Sequence, residues 1–195
     1  MSVSRWTPFV ARPEPALGSF LLVVLLLLLP GCGGGGGGGG PTAPPPPPPQ
    51  GIVFTPATGG GVTISMVQVG QNATTLTLDV TATGVTDLYG VAFDLQFPSQ
   101  LFDLVNSSEQ PFLSQSGGTP TTLQVNEVSA GQVVVGFTRL GGVSGVSGTG
   151  ALVRLTFQAK ASGSGGFAFS RNQTFSPAGT LGGISWLGGS VQVTL

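Results

Sequence analysis

The chain has 195 residues, with six Lys+Arg, seven Asp+Glu, no His and one Cys, and a formal net charge of −1. So weak a charge excludes an electrostatic nucleic-acid binder, which needs a basic stripe to neutralise phosphates. The missing His and single Cys exclude the usual zinc sites, the Ser-His-Asp and Cys-His catalytic arrangements, and an internal disulfide. Gly (34) and Pro (16) fill about a quarter of the chain, which signals low complexity, while 40% apolar residues can supply a core. This composition favours a binding or structural module over an enzyme and calls for no cofactor.

Residues 1–31 read as a bacterial secretion signal. Arg5 and Arg12 give the positive start, and Ala16 to Leu29 form an apolar run of 14 residues, interrupted only by Gly18 and Ser19. Crossing roughly 30 Å of hydrocarbon takes about 20 apolar residues, and Pro30 stops this run, so it fits a signal h-region. The next residues decide the type of signal. Leu29-Pro30-Gly31-Cys32 resembles the bacterial lipobox. That resemblance implies cleavage before Cys32 and acylation of its sulfur and new amino terminus. Each acyl CH₂ buried in the bilayer contributes about 0.8 kcal/mol, and more than one chain makes anchoring stable. Gly33 follows the Cys, where lipoprotein sorting by analogy implies delivery to the outer membrane or cell surface.

Residues 32–50 form a stalk. Gly33–Gly40 is an unbroken glycine run and Pro44–Pro49 an unbroken proline run. The first is a flexible coil of about 15 Å. The second favours extended polyproline II at about 3.1 Å per residue. A soft joint and then a stiff spacer hold the rest of the chain away from a surface.

Residues 51–195 read as one domain, long enough for a sizeable core. Apolar and polar residues alternate along it, the mark of half-buried antiparallel strands. Thr75–Ala82 puts Leu76, Leu78, Val80 and Ala82 on one face. In Tyr89–Phe97, Val91, Phe93, Leu95 and Phe97 face in, and Ala92, Asp94 and Gln96 face out. Gln132–Thr138 and Ala151–Ala161 alternate likewise, the latter with Leu152 and Arg154 facing out. Shorter runs appear at 62–69, 123–128, 166–170 and 190–195.

Turn clusters are read at 59–61, 70–72, 117–120, 141–150 and 162–166, most of them Gly-rich. Pro98–Asn106 has room for one helical turn. The pattern predicts an all-β fold, a two-sheet antiparallel β-sandwich of about eight or nine strands. Phe93, Phe97 and Phe157 are predicted to lie between the sheets.

Little in the domain carries chemistry. Gly141–Gly150 has no Gly-Lys-Ser/Thr and leads into a strand, so it is a strand-linking loop and not a phosphate cradle. Asp79, Asp87, Asp94, Asp103, Glu109 and Glu127 form no local pair of the glycosidase kind and no Asp-rich calcium loop. Trp186 and Tyr89 are the domain's flat non-Phe rings. Trp186 is either a core plug or an exposed platform for a sugar.

Two segments resemble the cohesin family. Leu88-Tyr-Gly-Val-Ala-Phe-Asp-Leu-Gln-Phe-Pro-Ser-Gln-Leu is similar to its strand ending in an aromatic residue, Asp-Pro, two variable residues and Leu. Phe97, Pro98 and Leu101 match, and the Asp is absent. The second segment, Gly148-Thr-Gly-Ala-Leu-Val-Arg-Leu-Thr-Phe, is similar to Gly-x-Gly-x-Leu-x-x-Leu-x-Phe.

The resemblance implies a nine-stranded jelly roll and a protein-binding role. Cohesins hold dockerins, calcium-loaded helical pairs carried by polysaccharide-degrading enzymes, on one flat sheet face. It places Ala92, Asp94 and Gln96 on the contact strand, with Ala92 where many cohesins have an acidic residue. The expectation is a lipid-anchored surface protein, exported from the cytoplasm, that binds a dockerin-type partner. The alternatives are a carbohydrate-binding lipoprotein using Trp186 or Tyr89, and a structural envelope subunit that associates through sheet edges.

Overall fold

A computed structural model describes residues 50–115 and 118–195. The apolar leader, Cys32 and the Gly/Pro runs lie outside the described residues. In chain order the elements are β1 (Gly51–Pro56), β2 (Thr63–Gln71), β3 (Thr75–Leu88), β4 (Gly90–Gln96), β5 (Phe102–Glu109), α1 (Pro111–Ser114) and β6 (Thr121–Ser129). Then come β7 (Gln132–Arg139), β8 (Val146–Ala159), β9 (Gly163–Ser176), β10 (Gly179–Leu181), β11 (Ser185–Leu187) and β12 (Gly189–Thr194).

These strands form the expected two-sheet sandwich. A seven-stranded sheet runs β1-β12-β9-β4-β7-β6, with β10 beside β9, and a five-stranded sheet runs β11-β2-β3-β8-β5. The described strands outnumber the eight or nine expected. The three-residue strands β10 and β11 are too short to show a period of two. Pairing is antiparallel except for β11 on β2, which is parallel.

The core forms where the alternation predicts. Leu76, Leu78, Val80 and Ala82 of β3 are fully buried opposite Val91, Phe93 and Leu95 of β4. Phe157 sits at the centre of an aromatic cluster, its ring centroid 5.2 Å from Phe97, 5.1 Å from Phe167 and 6.2 Å from Phe102. Phe93, Phe97 and Phe157 are all buried, as expected. Edge-on and tilted ring pairs of this kind add to the area they bury.

Three local expectations are corrected. Leu152, expected to face out, is fully buried together with Val153. The β3–β8 register shifts between Val80 and Thr81, so a bulge turns two successive residues of β8 inward. The turn expected in Pro98–Asn106 closes early. Leu101 and Phe102 N–H both donate to Pro98 O, and β5 begins at Phe102. Of the clusters read as turns, 70–72 begins inside β2, which runs to Gln71, and the Gly-rich stretches at 162–166 and 148–150 are largely strand. Their glycines make space: a Cβ on Gly165 would lie 2.7 Å from Pro98 Cβ, and one on Gly150 would lie 2.4 Å from Phe112 Cδ2.

The helical turn α1 packs on β8, with Leu113 fully buried. Arg139 fastens the segment. Its guanidinium is buried and donates to Leu113 O, to Thr119 Oγ1 at 2.9 Å and to Gln115 Oε1 at 3.4 Å.

Candidate partner-binding face

The register of the four strands β9-β4-β7-β6 assembles one outward surface. On β4, Ala92 lies between Gly136 of β7 and Gln173 of β9, and Asp94 lies between Val134 and Ser170. Gln96 lies between Gln132 and Ala168. On the far side of β7, Thr122, Gln124 and Asn126 of β6 stand opposite Thr138, Gly136 and Val134. The alternation that drives Val91, Phe93 and Leu95 into the core therefore turns Ala92, Asp94 and Gln96 to this surface. Ala92 is half-buried and Gln96 exposed.

Asp94 is buried, although it faces away from the core. The β4–β9 register shifts between Ala92 and Asp94, so that Arg171 and Asn172 of β9 stand against the single residue Phe93 of β4. Arg171 has φ 47, in the left-handed region. This bulge re-aims its side chain across β4, where Nε donates to Asp94 Oδ2 at 2.6 Å and Nη2 bonds the same oxygen. Gln132 Nε2 also donates to Oδ2, at 2.8 Å. Ranked by what a partner can touch, Arg171 therefore stands in front of Asp94. Asp94 and Arg171 form the one ion pair of this face among the described residues. Around it lie small, amide- and hydroxyl-bearing residues together with the part-exposed apolar side chains of Val134 and Phe175.

Beside Ala92 the face is hollowed. A depression of about 350 Å³ is floored by Gly136 and rimmed by Thr122, Gln124, Thr138 and Phe175. A Cβ added at Gly136 would meet nothing within 4 Å. Gly in a strand interior often marks the close approach of another chain or ligand.

The outer surface of the five-stranded sheet carries a different pair. Arg154 Nε donates to Asp79 Oδ1 at 2.7 Å, and Nη2 to Oδ2 at 2.9 Å. This hydrogen bonding to Asp79 is the largest influence on the Arg154 guanidinium. It raises the pKa further above the ordinary range; desolvation opposes it, and Asp79's charge adds a lesser upward push.

The two rings singled out from the sequence fall in different settings. Trp186 on β11 packs against the core, its ring 5.3 Å from Phe93 and 5.2 Å from Phe169, which is the core-plug position. Tyr89 is half-buried between β3 and β4, and its hydroxyl donates to Gly141 O at 2.6 Å.

Among the described residues no three His, Cys, Asp or Glu side chains gather. Sequence reasoning missed Arg171, Gly136 and Phe175. The interior glycine of Val133-Val-Val-Gly-Phe was the available signal for the hollow, and nothing local marked Arg171.

Among curated proteins none matches the chain significantly. Among solved structures, the sixth cohesin of Acetivibrio cellulolyticus scaffoldin B, in complex with a Cel5 dockerin mutant, is 14% identical. The match covers 66% of this chain and 97% of that one, with TM-score 0.54. The CaCohA2 module of Clostridium acetobutylicum is 15% identical, over 74% of this chain and 92% of that one, with TM-score 0.53. A type I cohesin–dockerin complex from Clostridium thermocellum matches at 10% identity, over 62% and 85%, with TM-score 0.52. These likenesses establish the fold. The family model described as "Cohesin domain" matches residues 60–183, and with the sandwich and strand order in place, the chain belongs to the cohesin domain family.

Proposed function

We propose that this protein is a non-catalytic attachment module, held to the bacterial envelope by lipid on Cys32. Through the outer face of β9-β4-β7-β6 it binds a calcium-loaded, dockerin-type partner of a polysaccharide-degrading assembly. The observation that carries the reading is the face itself: four strands wide, almost uncharged, and hollowed at Gly136. A shallow pocket within a polar surface accepts a side-chain anchor and excludes water around it, which is how protein interfaces concentrate their affinity. Family membership supports a protein partner, and the Acetivibrio cellulolyticus and Clostridium thermocellum cohesins were both solved with dockerins. The leader, Cys32 and the Gly/Pro stalk support display at the outer membrane or cell surface, with the domain outside the cytoplasm.

The test uses the full-length chain, immobilised and titrated with a panel of recombinant dockerin modules, with calcium and with chelator. Binding to at least one module that disappears on chelation, and that Gly136→Trp weakens, supports the reading. No binding across the panel, together with no calcium-dependent partner from the source organism's own secreted extract, overturns it. Anchoring is tested separately. Cys32→Ala should move the protein from the detergent phase to the aqueous phase, and an unchanged partition rejects the lipid.

A further inference from the structure

A second cavity, of about 590 Å³, opens beside Tyr89, Asp87 and the loop through Gly142 and Ser144. That volume is within the range of about 300–1,000 Å³ usual for small-ligand sites. Its walls are held in place. The Tyr89 hydroxyl donates to Gly141 O at 2.6 Å, Tyr89 N–H donates to Phe175 O at 2.7 Å, and Arg139 N–H donates to Tyr89 O at 3.0 Å. The ring is thus tied at the hydroxyl and at both sides of its backbone.

Asp87 is held in an uncommon conformation. Its φ is 56, in the left-handed region. Its N–H donates to Ser147 Oγ at 2.9 Å, and its Oδ1 accepts from Gly145 N–H at 2.9 Å. The loop comes so close that a Cβ on Gly145 would lie 2.2 Å from Asp87 O. Strained residues of this kind persist only where their surroundings over-determine them, and they cluster at ligand clamps. Asp87 Oδ2 accepts no hydrogen bond from the described residues, and the exposed residue Ser144 lines the same cavity.

We infer that this cavity binds a neutral saccharide. Three groups share the lining: a fixed aromatic ring, a carboxylate oxygen that accepts no hydrogen bond from the described residues, and the Ser144 hydroxyl. A pyranose presents an apolar C–H face to a ring and hydroxyl donors to a carboxylate, and this set matches both. The lining contains no Lys or Arg, so an anionic ligand would face an uncompensated carboxylate. One carboxylate also falls short of the oxygen ligands, six to eight, that a calcium ion collects. The proposal goes beyond the protein-binding reading and does not rest on it.

The experiment is calorimetric titration of the full-length chain with cellohexaose, xylohexaose and mannohexaose, each also run against Gly142→Leu, Tyr89→Ala and Asp87→Asn. Gly142 lines the cavity, and a Cβ there meets nothing within 4 Å, so a leucine adds bulk at the cavity wall without a clash at its Cβ. At least one hexasaccharide is expected to bind, with affinity lowered about tenfold or more, some 1.4 kcal/mol, by each variant. No binding by the wild type, or equal binding by Gly142→Leu, overturns the inference. A calcium titration that depends on Asp87 and is unaffected by sugar also overturns it, in favour of a cation. Dockerin titration of Gly142→Leu separates the two readings. The partner face predicts that this variant binds as the wild type does, whatever happens to the sugar.

Discussion

The Arg171 guanidinium lies over the Asp94 carboxylate, with Nε 2.6 Å from Oδ2. The carboxylate side chain is 6% exposed and the guanidinium 71% exposed. The anion is therefore a buried fixture and the cation its solvent-facing cover. Removing Arg171 leaves Asp94 with Gln132 as its remaining side-chain donor. Arg171→Met should cost about 1–2 kcal/mol in urea unfolding, since a buried acceptor loses partners while the exposed cation was itself weakly stabilising. Asp94→Asn combined with Arg171→Met should cost less than the two single changes added together. Strict additivity would mean the pair is not coupled.

The hollow at Gly136 predicts a variant that folds and does not bind. Gly136→Trp projects into open space, so its stability should stay within about 0.5 kcal/mol of the wild type. Partner affinity should fall at least tenfold, measured on the same preparation. A destabilised variant would show that the surface is tighter than its geometry, and an unaffected affinity would move the interface elsewhere.

The aromatic cluster predicts a large core penalty. Phe157→Ala removes a fully buried ring that packs on Phe97, Phe102 and Phe167. It should cost about 3–5 kcal/mol, a large share of the total stability of a domain. Equilibrium denaturation gives the value directly, and a loss below about 1 kcal/mol would contradict the packing.

Arg139 predicts a local effect. Its buried guanidinium holds Leu113 O, Thr119 and Gln115, and hydrogen bonds to a charged group contribute about 1.5–3 kcal/mol each. Arg139→Met should release the segment around α1 before the sheets. Limited proteolysis should then give an early cut between residues 110 and 120. Cleavage first appearing elsewhere would assign the stability of that segment to Leu113 instead.

Trp186 separates a structural role from a ligand role. Its ring packs on Phe93 and Phe169. Trp186→Ala should therefore lower stability by about 3 kcal/mol, whereas Trp186→Phe should restore most of it and leave saccharide affinity unchanged. A saccharide affinity that falls with Trp186→Phe would return that ring to the binding surface.

Much of this architecture was legible along the chain because a strand buried on one face writes its burial into alternate residues. Leu76–Ala82 and Val91–Phe97 show it without ambiguity, and they set the sandwich, its core rings and the outward aspect of Ala92, Asp94 and Gln96. What alternation does not encode is the residue count opposite each position. A bulge at Leu152 and another at Arg171 shift the register only when two strands far apart in sequence pair. Only the tertiary structure, then, turned Leu152 inward, laid Arg171 over Asp94 and brought Asp87, Tyr89 and the Gly142 loop around one cavity. Glycine is the sharpest case. In sequence it reads as a turn, but Gly165 and Gly150 are strand residues whose missing side chains are the space that Pro98 and Phe112 fill, and that space exists only once distant segments meet.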